Sequence, residues 1–390
     1  MSEGVQAFDL GTAGFWGVVL LAVLLLAALT DATWKRRAFA VVNLLALGLL
    51  VGPLGVLAAL VAVTVGWAVG RALATRGFGP VFVVACLALA AVFGVHKWPW
   101  PPPALAPVRA AFGAIALSYV VLRIADMWHA VASRQAPAPD WLDTVAYVVP
   151  FHMLSAGPIR AYTAWVKEPV TTEPLTLHGT LDGVDRIVTG LFKKFVLAWL
   201  VDLYLFHDMA SPWPWRFVEI QAFYVWVWLD FSAYSDIAVG MGRLLGVPAP
   251  ENFDRPFLSR NIIEFWTRWH ISLGDWVLRN LFQPMQLALV RGRFRKQPVA
   301  AASISYFVAF GLVGVWHGLL PGQLLWGVYV AVGMVAVNLY RAWLTKRLGR
   351  KGLKTYQANP WIRAVAVVLT FEFVAFSMVV QFYPQTLWGW

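Results

Sequence analysis

Long apolar runs, separated by short basic or proline-containing breaks, set the pattern of this chain. The runs are of helix length and lack the ten-residue alternation of membrane strands, so they predict α-helices. In the first third they fall at residues 15–29, 38–51, 54–69, 80–95 and 108–124. Gly52-Pro53 divides the second run from the third, and together these are long for one span and short for two. Further runs fall at 141–156 (interrupted by Pro150), 184–204, 221–240, 301–317, 324–343 and 362–382. Residues 157–160 read as a turn and the polar stretch 161–184 as a loop or interfacial segment. At about 20 residues per crossing, the pattern predicts an all-α membrane protein with roughly ten or eleven transmembrane helices. No polar stretch is long enough to bury a core of its own. Residues 1–390 therefore read as a single polytopic domain, without a transporter-type sequence repeat.

Composition agrees. Of 390 residues, 60% are hydrophobic and 13% charged, where soluble domains carry about 25% charged residues. The net charge of +11 does not point to nucleic acid, because basic residues gather in the breaks: Lys35-Arg36-Arg37, 291–296 and 341–354. That is the positive-inside pattern, with membrane lipid as the neighbour. It places Lys35-Arg36-Arg37 in the cytoplasm and, if 38–69 is a hairpin, Arg71, Arg76, Arg123 and Arg134 there too, with Trp98-Pro99-Trp100-Pro101-Pro102-Pro103 outside. The leader carries Glu3 and Asp9 where a secretory signal would be basic. The first helix is therefore expected to be retained in a multi-pass protein of the cell inner (cytoplasmic) membrane. The lone cysteine, Cys86, excludes an internal disulfide and a CxxC site.

Ionisable groups in such surroundings are costly and usually have a task. His270 sits in Phe265-Trp266-Thr267-Arg268-Trp269-His270-Ile271-Ser272, and His317 in Gly314-Val315-Trp316-His317-Gly318. The imidazole can pass a proton near neutral pH. His317 follows eleven uncharged residues, and Gly318 behind it leaves room for a substrate. A neutral imidazole there could take a proton from a hydroxyl attacking a thioester; the bland alternative is a helix-packing histidine. Read as one helix, 261–282 gathers Glu264, Arg268, Ser272, Asp275 and Arg279 within roughly 80° at about 100° per residue. This stripe reads first as an ion-pair ladder. His270 points elsewhere, as a functional group or as a core histidine bonded to a carbonyl. The HxxxxD spacing of His270 and Asp275 puts the two about 140° apart on such a helix, a chance match unless the helix breaks at Gly274. Asp230 and Asp236 lie roughly 240° apart, so each is expected to pair with a cation from another segment; intramembrane acids also suit a proton-coupled transporter or flippase. Trp128-His129 repeats the Trp-His dipeptide, which alone proves little. No GxSxG, P-loop, GxGxxG or HExxH is present. The seven scattered histidines give no support for a metal site.

Several blocks in order resemble the membrane-bound O-acyltransferase family, in its alginate-acetylating and teichoic-acid D-alanylating branches. They are Leu154-Ser155-Ala156-Gly157-Pro158-Ile159-Arg160, Gly190-Leu191-Phe192-Lys193-Lys194, Asp230-Phe231-Ser232-Ala233-Tyr234-Ser235-Asp236, Glu251-Asn252-Phe253-Asp254-Arg255-Pro256-Phe257, the His270 block and the His317 block. They cover residues from about 115 to 330, the family-like catalytic region. Ala233 stands where the family usually has Gly, and Asn280 and Leu281 where it has Asp and Tyr. The resemblance implies a ring of helices around a central tunnel, His317 as the catalytic residue and His270 as a second important histidine. It implies an acyl group, acetyl in our reading, moving from a cytoplasmic thioester to a hydroxyl of a cell-envelope or exported polysaccharide or of a partner protein. Acyl-CoA (acetyl-CoA) or an acyl-carrier-protein thioester would be the co-substrate, with no tightly bound cofactor. An extracytoplasmic acyltransferase of the SGNH type is the implied partner; a D-alanyl transferase would instead dock an acyl carrier protein. Trp269 and Trp316 are expected to wall the tunnel. Arg268 and Arg279 could meet donor phosphates, although ion pairing is the first expectation.

Overall fold

The computed structural model describes residues 10–206 and 209–385. His207, Glu3 and Asp9 lie outside the described residues. In chain order the helices are α1 (Ala13–Ala27), α2 (Ala32–Leu50), α3 (Gly52–Arg76), α4 (Pro80–Lys97), α5 (Ala106–Ala114), α6 (Leu117–Ala132), α7 (Trp141–Val148), α8 (Tyr162–Lys167) and α9 (Leu177–Phe192). Then come α10 (Ala198–Leu205), α11 (Trp215–Leu245), α12 (Ile262–Trp266), α13 (Ile271–Val277), α14 (Gln283–Arg291), α15 (Pro298–His317), α16 (Pro321–Ala358) and α17 (Pro360–Phe382). Among the described residues five helices, α3, α4, α15, α16 and α17, are long and apolar enough to cross a membrane. The bent pair Pro103–Ala114 and Leu117–Ala132 adds a sixth if it is taken as one span.

The doubtful stretch 38–69 resolves into two helices. Asp31 caps α2 by accepting from the backbone N–H groups of Thr33 and Trp34, and Gly52, at φ +70°, turns the chain into α3. The single run expected at 108–124 is instead broken: Ala116 takes a left-handed conformation (φ 48°) and the two helices meet at 66°. The stretch 161–184 is not all loop. It holds α8, and α9 begins at Leu177 and runs through a π-helical turn (Lys193–Leu197) into α10. The polar residues there alternate with apolar ones at helical spacing, giving an amphipathic face that average polarity hides. Pro150 ends the preceding segment as expected, since α7 stops at Val148.

The chain forms two compact units, Met1–Phe192 with Ala233–Glu251, and Lys193–Ser232 with Asn252–Trp390. The first is centred on Phe39, Leu47, Val63, Ile124, Trp128 and Ile237, all buried. Trp128 Nε1 donates to the Gly66 carbonyl at 2.8 Å, so the third Trp-His pair supplies a packing residue. The second unit contains both histidines of interest. Its helices α15 and α16 cross at glycines: a Cβ on Gly314 would lie 2.8 Å from the Gln323 carbonyl oxygen and 3.0 Å from Gly327 Cα. On Gly327 it would lie 2.7 Å from the Phe310 carbonyl oxygen. Small residues let two apolar helices approach backbone to backbone, and this contact fixes what stands beside the end of α15.

Candidate active site

His270 sits at a break. The continuous helix expected over 261–282 does not form. Instead α12 ends at Trp266, His270 takes a left-handed conformation (φ 46°, ψ 51°), and α13 starts at Ile271. The break falls at His270 rather than Gly274, so the helical angles drawn for the stripe do not apply across it. Its cause is the facing strand-like segment 252–254. Asp254 N–H donates to the Arg268 carbonyl at 3.0 Å and Ile271 N–H to the Asn252 carbonyl at 3.0 Å. Asn252 Oδ1 accepts from the Ser272 hydroxyl at 2.6 Å and the Ser272 N–H at 3.2 Å. These bonds replace the helical ones and hold the histidine backbone in a conformation that most residues resist. Gly274 is needed for a second reason: a Cβ there would lie 2.9 Å from the Trp266 carbonyl oxygen.

The His270 ring is buried, with Phe231 edge-on at a centroid distance of 4.7 Å. Its Nε2 has no hydrogen-bond partner among the described residues. Burial, and then the charge His317 would carry, push the His270 pKa down to about 3. The ring is therefore neutral near pH 7.

His317 ends α15. Its ring lies 4.9 Å from both the Trp316 and the Trp326 ring, edge-on to the latter. Trp326 is 2% exposed and in turn meets Trp266 at 5.9 Å. The indole N–H groups of Trp266 and Trp326 are both buried without an acceptor among the described residues. Buried donors are nearly always paired in folded proteins, so these two stand out beside His317. Gly318 is less demanding than its sequence position implied: its φ of 167° suits any residue, and a Cβ would make ordinary contact with Gln323 at 3.5 Å.

The remaining candidates separate. Trp269 is 5% exposed and packed among Phe265, Phe253 and Tyr224, as a core residue. Trp316 stands against His317. Arg268 binds Glu264 at 2.9 Å, as the i,i+4 spacing predicted, and Glu264 also holds Arg260 at 2.8 Å. Arg279 lies half-buried on a π-helical turn, Leu278–Phe282. Asp230 pairs with Lys194 in the second unit, and Asp236 with Arg186 at 2.6 Å in the first. The two acids thus take separate cations, as their angular separation on one helix requires. Among the described residues no three His, Cys, Asp or Glu side chains converge as metal ligands would. Asn252, Phe231, Trp266 and Trp326 were not singled out by sequence reasoning. Trp326 had no signal beyond its place as the third residue of the next apolar run.

The second unit thus holds two histidines set among aromatic rings, with buried indole donors beside His317 that lack an acceptor among the described residues. The comparisons with known proteins give the family. The model of MBOAT, the membrane-bound O-acyltransferase family, matches residues 25–379. The chain belongs to that family and is a multi-pass membrane protein. It is 30% identical over 240 residues to a teichoic acid D-alanyltransferase of Bacillus subtilis, covering 60% of this chain and 59% of that protein. It is 31% identical over 191 residues to the protein named probable alginate O-acetylase AlgI of Pseudomonas syringae, covering 48% of this chain and 35% of that protein. A D-alanyltransferase of Lacticaseibacillus rhamnosus matches at 24% over 285 residues, 68% of this chain and 69% of that protein. The chain thus spans about three-fifths of the Bacillus relative and about a third of the Pseudomonas one.

Proposed function

We propose that this protein moves an acyl group, acetyl in our reading, from a thioester presented on the cytoplasmic side of the inner membrane to a hydroxyl acceptor. The acceptor is a cell-envelope or exported polysaccharide, or a partner protein of the SGNH type that passes the group on. His317 is the general base. The acceptor oxygen attacks the thioester carbonyl carbon as its proton passes to the His317 imidazole. The carbon–sulfur bond then breaks, and the thiolate takes that proton and leaves as a thiol. The Trp326 indole N–H donates to the acyl oxygen as charge builds on it. His270, neutral and with Nε2 unused, orients or polarises the same centre. Residues 1–390 act as one membrane unit, in which the more polar and shorter helices complete a ring of ten or eleven crossings around a central tunnel.

The observation that supports this reading is the setting of His317: its ring meets Trp326, Trp326 meets Trp266, and both indole N–H groups are buried without an acceptor among the described residues, in the unit that also holds the buried His270. Family membership weighs against the transporter reading of Asp230 and Asp236.

A second donor is favoured by one observation. The D-alanyltransferase relatives match a larger share of the chain than the alginate ones. A charged carrier protein would then supply D-alanine in place of acetyl-CoA. Competition on purified protein decides between them. Acetyl-CoA should label the acceptor, and a D-alanyl carrier protein should neither label it nor inhibit. Labelling by the carrier protein alone would overturn the acetyl reading and leave the His317 chemistry intact.

A further inference from the structure

The second unit holds a cavity of about 1050 Å³ between α12, α16 and α17. Arg260, Arg268, Arg341, Arg363 and Glu264 are its only charged lining residues, four positive and one negative, for a net +3. Glu264 is spent on Arg260 and Arg268. Among the described residues, neither Arg341 nor Arg363 has a carboxylate partner. Two guanidinium groups without a carboxylate partner among the described residues, lining one cavity, call for an anion, and a phosphate matches their planar donors best.

The rest of the lining says what carries that phosphate. Val365 and Leu369 line the cavity and are 58% and 64% exposed, on a helix apolar enough to cross the membrane. The cavity therefore opens onto surface that meets acyl chains. Beyond Arg341 come Lys346 and Arg347 and, past a break in the helix at Gly349 (φ 65°), Arg350, Lys351 and Lys354, all exposed. By the positive-inside rule this end is cytoplasmic, at headgroup level, where anionic lipids gather.

We infer that this cavity is a headgroup site for an anionic phospholipid of the cytoplasmic leaflet, its phosphate between Arg341 and Arg363 and a chain along Val365 and Leu369. A nucleotide-bearing thioester offers phosphates too. Neither His270 nor His317 lines the cavity, however, and a soluble nucleotide has no use for an exposed apolar wall. Lipid binding read this way stands apart from the acyl-transfer chemistry.

Native mass spectrometry of the full chain in neutral detergent tests it, titrating phosphatidylglycerol against phosphatidylcholine. Phosphatidylglycerol should bind in preference. R341Q/R363Q should weaken that binding by about tenfold or more, while R350Q/K351Q, with the same loss of charge beyond the helix break at Gly349 and outside the cavity lining, should change it by less than about twofold. Equal weakening in both pairs, or no preference between the lipids, would overturn the site. So would displacement of bound phosphatidylglycerol by an equal concentration of coenzyme A. If R341Q/R363Q does not fold, the lipid preference and the coenzyme A competition on the unaltered protein decide alone.

Discussion

The imidazole of His317 and the indole of Trp326 meet edge-on, with ring centroids 4.9 Å apart, although they sit on different helices. Gly314 and Gly327 bring them together by letting α15 and α16 touch at the backbone. The surroundings of His317 therefore depend on two residues without side chains.

That dependence gives a first prediction. Trp326→Phe keeps an aromatic ring against His317 but removes the N–H that lacks an acceptor. Turnover should fall on the order of 10²-fold, the loss typical of one oxyanion donor, with the thermal midpoint in detergent nearly unchanged. Activity close to wild type would remove Trp326 from the chemistry and leave it as packing.

Gly327→Val should fail differently. Its Cβ would sit 2.7 Å from the Phe310 carbonyl oxygen and 3.0 Å from Gly314 Cα, and neither backbone atom can yield cheaply. Overpacking of this kind costs about 1–3 kcal/mol. Stability and activity should fall together, as read by thermal unfolding and by acyl transfer. Full activity with unchanged stability would mean that the helix crossing is looser than described.

Asn252→Ala removes the acceptor for both Ser272 groups and weakens the backbone clamp that holds His270 left-handed. The cost should be about 1–3 kcal/mol, since buried polar partners are left unmet. Asn252→Asp keeps the oxygen acceptor and should recover part of the activity. Equal loss in both variants would assign Asn252 a role other than acceptance.

The buried His270 also sets a pH dependence. Its folded pKa lies at about 3, below the ordinary value of 6.5, through burial first and His317 second. Between these values the unfolded chain binds a proton that the folded protein does not. Stability should therefore fall as pH is lowered from about 6.5 towards 3 and level off below that. His270→Gln should remove this component, seen as a flatter midpoint-against-pH curve. An unchanged slope in the variant would show that other groups govern acid sensitivity.

Much of this was legible in the sequence, and the reasons for the rest are physical. Apolar run length located α15, α16 and α17 to within a few residues at most ends, because nothing but helix satisfies the backbone there; past its apolar part α16 is broken at Gly349 and a further helical stretch follows. Spacing on one helix correctly separated Asp230 from Asp236 and paired Arg268 with Glu264. It failed at His270, because the break is imposed by Asn252, Phe253 and Asp254 from another segment, and periodicity carries no record of a partner. It failed again at Ala116, where a left-handed residue bends an unbroken apolar run. Gly318 looked functional from its position, whereas Gly314 and Gly327 are the glycines the backbone contact demands.

The most direct measurement is acyl transfer by purified His317→Ala in detergent, with folding checked by its thermal midpoint. The account predicts a folded protein whose turnover drops by about 10²–10⁴-fold, the range a general base supplies. Wild-type turnover from that folded variant would contradict it.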